Sequence, residues 1–268
     1  MASKTEEHEE FRGNVMDLFR LDGRVALITG GSKGLGKSMA LGLAQAGATT
    51  ILCSRHLDEC QAAAAEVGSL TGRESLGLAA DVTREEDVKK LVDEIVKRFG
   101  RLDILINSAG VNIRRAIEQL SPEEFQQVMD VNVRGTWLCC RAVSPVMTRQ
   151  RKGSVINIGS ALSAIGLAER TPYCSSKAAV LGLTRTLALE WAPANVRCNA
   201  ICPGPFLTEI NRPLLKEPAK VQAILSKIPL NRWAQMHEIR GAALFLASDA
   251  SSFVTGAALF VDGGWTAQ

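Results

Sequence analysis

The chain has 268 residues, 46% of them hydrophobic, which is enough apolar material for one sizeable core. Its 31 basic and 28 acidic residues give a formal net charge of +3 and are interspersed, and aromatic residues make up only 5%. This pattern argues against a nucleic-acid-binding surface, which needs a basic stripe with stacking aromatics. No apolar run approaches the roughly 18 residues that span a bilayer.

Residues 1–20 are predicted to form an N-terminal extension, of which the first ten are polar and expected to be disordered. Four apolar residues then recur with helical spacing: Phe11, Val15, Leu18 and Phe19. We expect a short amphipathic helix here that docks onto the rest of the protein. The remaining residues, 21–268, are predicted to form one domain.

From Arg24 onwards, short apolar runs alternate with segments of helical periodicity. The predicted strands are Val25–Ile28, Thr49–Cys53, Ser75–Ala80, Leu102–Ile106, Ser154–Ile158, Val196–Ile201 and 257–262, and the predicted helices are 35–46, 57–67, 84–99, 121–150 and 172–191. Continuous apolar strands that alternate with helices indicate a parallel sheet covered on both faces. The predicted fold class is therefore α/β: a single-domain, doubly wound parallel sheet (a Rossmann-type three-layer sandwich) with ligands at the carboxyl ends of the strands.

Residues 203–235 interrupt this alternation with five prolines and mixed helical fragments. Long irregular segments of this kind often cover an active site. We therefore predict a lid over the site in this part of the chain.

A glycine-rich turn, Thr29-Gly-Gly-Ser-Lys-Gly-Leu-Gly36, joins the first predicted strand to the first predicted helix. Glycines let the backbone approach a pyrophosphate, which can rest on amide N–H groups at the positive end of the helix. A glycine-rich run alone is a weak signal, but its position between a first strand and a helix favours dinucleotide binding over a simple tight turn.

The end of the second strand indicates which dinucleotide is bound. NAD usually requires an acidic residue about 20 residues after the glycines, but the tract here reads Cys53-Ser54-Arg55-His56, and the next carboxylate is Asp58. Arg55 suits a 2′-phosphate, and Lys33 in the glycine-rich turn could add a second positive charge. The sequence therefore favours NADP(H) over NAD(H), the alternative being that Arg55 is an ordinary surface residue.

Three residues carry the predicted chemistry. Tyr173, the only tyrosine in the chain, and Lys177 lie at i and i+4 on one helical face, and Ser160 follows the fifth strand. A neighbouring ammonium and the positively charged nicotinamide ring would lower the pKa of the Tyr173 phenol and let it act as an acid/base. Ser160 could hydrogen-bond the substrate oxygen as charge develops on it.

Together these residues resemble the classical short-chain dehydrogenase/reductase family, from about Leu21 to Gly264. Members similar to gluconate 5-dehydrogenases and tropinone reductases look closest. The matching pieces occur in the family's order: the Thr-Gly-x-x-x-Gly-x-Gly loop at 29–36, Asp81-Val82, Asn107-Ser-Ala-Gly110, Asn132, Ser160, Tyr173, Lys177, Pro203-Gly204 and Thr208. Ser108 stands where the family usually has asparagine, a mild departure.

The resemblance implies a role for each matched residue. Tyr173 would be the acid/base, Ser160 would polarise the substrate oxygen, Lys177 would also hold the nicotinamide ribose, and Asn132 would keep a water in a proton relay. The alternative for Asn132 is a helix-kink residue without chemistry. The expected cofactor-binding residues are Gly30, Ser32, Lys33, Gly34, Leu35, Gly36, Ser54, Arg55, Asp81, Val82, Asn107, Ala109, Gly110, Tyr173, Lys177, Pro203, Gly204 and Thr208. We expect no metal, because the three histidines are scattered and no Cys/His cluster occurs.

The substrate is less constrained. The stretch Gly110–Arg115 is similar to sugar-acid dehydrogenases of the gluconate 5-dehydrogenase type, while 3-oxoacyl-carrier-protein reductases and general ketone reductases remain alternatives. Four arginines could surround a substrate carboxylate, or lie on the surface: Arg114, Arg115, Arg170 and Arg212. A catalytically idle NADP(H)-binding sensor or scaffold is a further alternative, but it predicts damage to the Ser–Tyr–Lys set, and none is seen.

The resemblance also implies a homotetramer or homodimer. Apolar positions expected on the outer faces of the long helices would pack across subunits: Trp137, Leu138 and Leu187. The first ten residues lack the basic and apolar regions of a signal peptide, and the seven cysteines contain no CxxC pair. We therefore expect a cytoplasmic protein with reduced thiols, acting on a small alcohol or carbonyl substrate without a nucleic-acid or membrane partner.

Overall fold

Short apolar runs form the strands of this structure, a computed structural model that describes residues 13–208 and 218–268. The strands are β1 (Val25–Thr29), β2 (Thr49–Ser54), β3 (Ser75–Ala79), β4 (Ile104–Asn107), β5 (Gly153–Ile158), β6 (Val196–Pro203) and β7 (Ala258–Val261). They pair in parallel in the order β3-β2-β1-β4-β5-β6-β7. The strand order reverses beside β1, which places a ligand-binding crevice at the carboxyl ends of β1 and β4.

Helices cover both faces of the sheet. They are α1 (Gly34–Gln45), α2 (Leu57–Thr71), α3 (Glu85–Phe99), α4 (Pro122–Met129), α5 (Gly135–Gln150), α6 (Thr171–Trp191), α7 (Pro218–Leu225) and α8 (Arg240–Ala247). One core layer packs α3, α5 and α6 against the sheet, and the other packs α1, α2 and α8 against its opposite face. The predicted doubly wound parallel sheet is confirmed.

The long helical stretch predicted over 121–150 has three parts. Ser121 caps α4: its hydroxyl accepts a hydrogen bond from the Glu124 amide at 3.2 Å, and the Glu124 carboxylate accepts one from the Ser121 amide at 3.1 Å. A π-helical turn, Asp130–Arg134, then separates α4 from α5. Such turns insert one residue into the helix and often occur at functional sites. Asn132 lies buried in this turn.

Several predicted boundaries shift. Helix α2 continues to Thr71, because its actual stop is Gly72 in the left-handed conformation. Strand β4 begins at Ile104, two residues later than predicted. The expectation of an outward-facing Leu138 and Leu187 is wrong, since these side chains are only 3% and 8% exposed and pack in the core.

The N-terminal extension contains a 3₁₀ helix, Val15–Phe19, with Leu18 and Phe19 half-buried and Val15 exposed. The predicted disorder of residues 1–10, and Phe11, lie outside the described residues. In the segment 203–235, a bridge joins Phe206 to Ala234. The division into an extension, a domain and a lid stays a prediction. No helix in the described ranges combines the length and apolar character needed to cross a membrane.

Candidate active site

A cavity of about 1360 Å³ opens at the carboxyl ends of the central strands. It exceeds the roughly 300–1,000 Å³ of ordinary small-molecule pockets, as a dinucleotide plus a substrate would require. Its wall includes most of the predicted site residues: Gly30, Ser32, Lys33, Gly34, Leu35, Gly36, Ser54, Arg55, Asp81, Val82, Ala109, Gly110, Ser160, Tyr173, Lys177, Pro203, Gly204 and Thr208. The structure therefore brings together residues from distant parts of the sequence.

The glycine-rich turn fits its sequence because two positions leave no room for a side chain. A Cβ on Gly30, whose φ is +64°, would lie 2.8 Å from backbone atoms of Ala109. A Cβ on Gly36 would lie 2.3 Å from the Gly30 oxygen. The turn therefore packs closely against the end of β4 and leads directly into α1, whose first residues line the cavity. This is the arrangement that holds a pyrophosphate.

Polar and charged side chains surround the end of β2. Arg55 is exposed and lines the cavity. Its positive charge lowers the pKa of the Asp81 carboxylate, which follows β3. Burial raises the pKa of Asp81, but hydrogen bonds from the Thr83 amide and hydroxyl, at 2.9 and 2.8 Å, and the charge of Arg55 outweigh it. The pKa of Asp81 is lowered as a result, so its carboxylate stays ionised beside the predicted adenosine site.

Ser160 and Tyr173 meet at the other end of the cavity. The Ser160 oxygen, just beyond β5, accepts a hydrogen bond from the Leu162 amide at 3.1 Å, which fixes its orientation. Burial raises the pKa of Tyr173, and a hydrogen bond from Ser160 together with the charges of Arg114 and Arg170 counteracts part of this. In the protein by itself the pKa of Tyr173 is therefore raised, because removing the phenol from water outweighs the nearby positive charges. The lowering of this pKa by a bound nicotinamide ring stays a prediction.

Lys177 lies one helical turn after Tyr173, with its ammonium nitrogen 5.6 Å from the centre of the phenol ring. It is only 5% exposed and donates a hydrogen bond to the Ile158 backbone oxygen at 2.7 Å. Burial lowers the pKa of Lys177 to about 8. The amine can therefore change its protonation state near neutral pH, close to the phenol.

Two predicted residues lie behind the cavity wall. Asn132 in the π-helical turn donates to the Val111 oxygen and the Ser176 hydroxyl, both at 3.0 Å. Asn107 is buried and donates to the Asn157 side chain at 2.9 Å. The proton relay through Asn132 and the cofactor contact of Asn107 stay predictions.

No sequence motif marked two serines that support the site. The Ser163 hydroxyl accepts a hydrogen bond from the Ser160 amide at 3.1 Å and donates to the Lys177 backbone oxygen at 2.9 Å. The Ser176 hydroxyl donates to the Tyr173 backbone oxygen at 2.8 Å. The Ser163 contacts join the loop after β5 to α6, while the Ser176 contact lies within α6 beside Tyr173.

Comparison with known proteins agrees with this geometry. A family model described as Enoyl-(Acyl carrier protein) reductase matches residues 30–266. D-threitol dehydrogenase of Mycolicibacterium smegmatis is 38% identical over 248 residues, covering 92% of this chain and 95% of that protein. 3-oxoacyl-[acyl-carrier-protein] reductase of Thermotoga maritima is 38% identical over 245 residues, covering 91% and 98%.

Among solved structures, gluconate 5-dehydrogenase from Burkholderia cenocepacia in complex with NADP and tartrate superposes with a TM-score of 0.92. It shares 37% identity and covers 95% of this chain and 100% of that one. The fold and cavity thus define an oxidoreductase built on a nucleotide-binding sheet. The chain belongs to the short-chain dehydrogenase/reductase family and acts on alcohol or carbonyl groups.

Proposed function

We propose that this enzyme interconverts a secondary alcohol and a ketone with NADP(H), and that its substrate is a small hydroxy or keto acid related to sugar acids. The observation that carries the proposal is a single cavity that joins the glycine-rich turn to Ser160, Tyr173 and Lys177. A dinucleotide along this cavity would have its pyrophosphate at α1 and its nicotinamide near Tyr173.

The bound cofactor would accept the hydride in oxidation and supply it in reduction. Tyr173 removes the proton from the alcohol oxygen in one direction and returns it in the other. Ser160 donates a hydrogen bond to the same oxygen, since its own oxygen is already oriented by the Leu162 amide. Lys177 places a positive charge beside the phenol and holds the nicotinamide ribose, and Asn132 keeps the water that relays protons to it.

Positive charge at the end of β2 supports NADP(H). Arg55 and Lys33 line the cavity there together with the Ser32 and Ser54 hydroxyls. Arginine forms paired hydrogen bonds with phosphate oxygens, and a 2′-phosphate is the group that distinguishes NADP from NAD. The related gluconate 5-dehydrogenase also holds NADP.

Two arginines support an acidic substrate. Arg114 lines the cavity, and the adjacent Arg115 amide donates to the Glu169 oxygen at 3.2 Å, which brings this loop to Arg170. Burial, followed by the charge of Arg114, lowers the pKa of Arg170. An anion near Arg114 and Arg170 would be attracted by both guanidinium groups. Arg212, also proposed for this role, lies outside the described residues, and Arg115 pairs instead with Glu124 at 2.7 Å.

An acyl thioester is the second candidate substrate class, because the matching family model and the Thermotoga maritima relative carry acyl-carrier-protein reductase names. A screen of sugar acids, polyols, ketones and acyl thioesters, followed by the absorbance of the reduced nicotinamide, separates the two. We expect turnover of hydroxy or keto acids. Turnover confined to acyl thioesters would refute the acid substrate.

The test of the chemistry is Tyr173→Phe. General acid/base catalysis contributes about 10²–10⁴-fold, so we expect a loss of this order in kcat. Cofactor binding, measured by quenching of tryptophan fluorescence, should persist. Retention of activity by this variant would refute the assignment of Tyr173.

The proposed assembly is a homotetramer. A shallow recess on the face of α4, α5 and α6 is lined by the apolar residues Met129, Val133, Trp137 and Leu183 and by the polar residues Gln126, Asp130 and Arg134. Trp137 is 43% exposed. Light scattering should give four times the chain mass, and a stable, active monomer would contradict this.

We propose the cytoplasm as the compartment, since all seven cysteines are free thiols and thiols persist there.

A further inference from the structure

One acidic side chain reaches the predicted 2′-phosphate site from a neighbouring element. Glu59 lies in the first turn of α2, where the helix dipole favours a carboxylate, and it lines the cavity. Its Oε2 atom accepts a hydrogen bond from the Ser32 hydroxyl at 3.2 Å and lies 3.6 Å from the Lys33 ammonium. The carboxylate that the sequence lacks at the end of β2 is therefore supplied one helical turn later.

We propose that Glu59 is a specificity-determining residue that limits the preference of the enzyme for NADP(H) over NAD(H). Its carboxylate binds two of the groups that a 2′-phosphate would use, Ser32 and Lys33. The inference rests on the proposed function, in which these groups and Arg55 face the 2′-phosphate.

The 2′-phosphate and the Glu59 carboxylate compete because both are anions and both accept hydrogen bonds from the same groups. A phosphate carries about −1.5 to −2 charges near neutral pH. It would bind the same Ser32 hydroxyl and Lys33 ammonium that Glu59 contacts. To bind there it must displace the carboxylate or remain beside it, and both cost free energy. A ribose with a free 2′-hydroxyl leaves the contacts of Glu59 with Ser32 and Lys33 intact. Glu59 therefore weakens NADP(H) binding more than NAD(H) binding.

The magnitude is modest, because the side chains are partly exposed: 40% for Glu59 and 71% for Lys33. Solvent screens such pairs, and their removal changes equilibrium constants by about fivefold at most. Glu59→Gln removes the charge and keeps the size of the side chain. Asp58→Asn is the matched control, since Asp58 carries the same charge in the same helical turn, is exposed, and does not belong to the described cavity wall.

The test uses the purified protein and two nucleotide fragments, adenosine 2′,5′-bisphosphate and adenosine 5′-monophosphate, titrated by calorimetry. The ratio of their affinities reports recognition of the 2′-phosphate without catalysis. We expect this ratio to rise by up to about fivefold in Glu59→Gln and to stay at the wild-type value in Asp58→Asn. The NADPH-to-NADH ratio of kcat/KM should rise in parallel.

The outcomes separate the two proposals. A wild-type protein that binds both fragments equally contradicts the proposed NADP(H) preference, and this inference with it. A wild-type preference for the bisphosphate that is unchanged in Glu59→Gln, or raised equally in Asp58→Asn, overturns the inference alone. If Glu59→Gln fails to fold by circular dichroism, Glu59→Asp replaces it. That variant withdraws the carboxylate from Ser32, and a ratio that does not rise contradicts the role of Glu59.

Discussion

The ammonium nitrogen of Lys177 lies 2.7 Å from the backbone oxygen of Ile158 and donates a hydrogen bond to it. Ile158 is the last residue of β5, two positions before Ser160, while Lys177 is one helical turn after Tyr173 on α6. This buried contact therefore joins the strand that presents Ser160 to the helix that presents Tyr173. Burial removes the positive charge of Lys177 from water, and this lowers the pKa of Lys177 to about 8.

The lowered pKa of Lys177 predicts that the stability of the folded protein depends on pH. The ordinary pKa of lysine is 10.5, so between about pH 8 and 10.5 the folded protein has released a proton that the unfolded chain keeps. The free energy of unfolding of the wild type should therefore rise with pH across this window relative to Lys177→Met. We expect Lys177→Met to be more stable than the wild type by about 2 kcal/mol at pH 7, although it is inactive.

The measurement is urea unfolding of both proteins at pH 7 and pH 10. The stability difference should shrink markedly at the higher pH, because the buried amine is then neutral. Lys90→Met serves as the control for the loss of a lysine side chain at a site exposed on α3. A constant difference for Lys177→Met at the two pH values would show that burial does not lower the pKa of Lys177.

Arg55→Asp tests the cofactor assignment. The change removes a partner of the 2′-phosphate and introduces repulsion, so the NADPH-to-NADH ratio of kcat/KM should fall on the order of a hundredfold. Steady-state kinetics with both cofactors provide the ratio. Lys90→Asp reverses a charge at an exposed residue that does not belong to the described cavity wall and should leave the ratio unchanged. A ratio that persists in Arg55→Asp means that Arg55 does not select the cofactor.

Arg114→Gln tests the acidic substrate. With a hydroxy or keto acid, KM should rise about tenfold, equivalent to roughly 1.4 kcal/mol, while KM for a neutral polyol should change little. The positive charge of Arg114 also lowers the pKa of Tyr173, so the pH profile of oxidation should move to higher pH. Arg115→Gln is the neighbouring control, because Arg115 pairs with Glu124. Equal effects on acid and polyol would contradict an anion-binding role.

Local spacing made much of the site predictable. Tyr173 and Lys177 share a helical face by the helix period, and the glycine-rich turn follows from its place between β1 and α1. Ser160 could be placed because the carboxyl ends of parallel strands meet at one edge of the sheet. These three features depend on one element or on one rule of topology, and a sequence contains that information.

Contacts between elements distant in sequence could not be predicted. The reach of Glu59 to Ser32 depends on how α2 packs beside the glycine-rich turn. The raised pKa of Tyr173 depends on the depth of the cavity, which no spacing encodes. Leu138 was expected on an outer face, but α5 packs against both α3 and the sheet, so more of its surface is covered than a single apolar stripe suggests.

The central claim is that Tyr173 is the proton carrier. Burial raises its pKa, and nearby positive charge lowers it. Because Tyr173 is the only tyrosine in the chain, an ultraviolet titration of phenolate absorbance reports this one residue, and Tyr173→Phe supplies the blank. The account predicts ionisation above the ordinary tyrosine range in the protein alone and a shift to lower pH when NADP⁺ is added. An ordinary pKa in the protein alone that NADP⁺ does not move would contradict it.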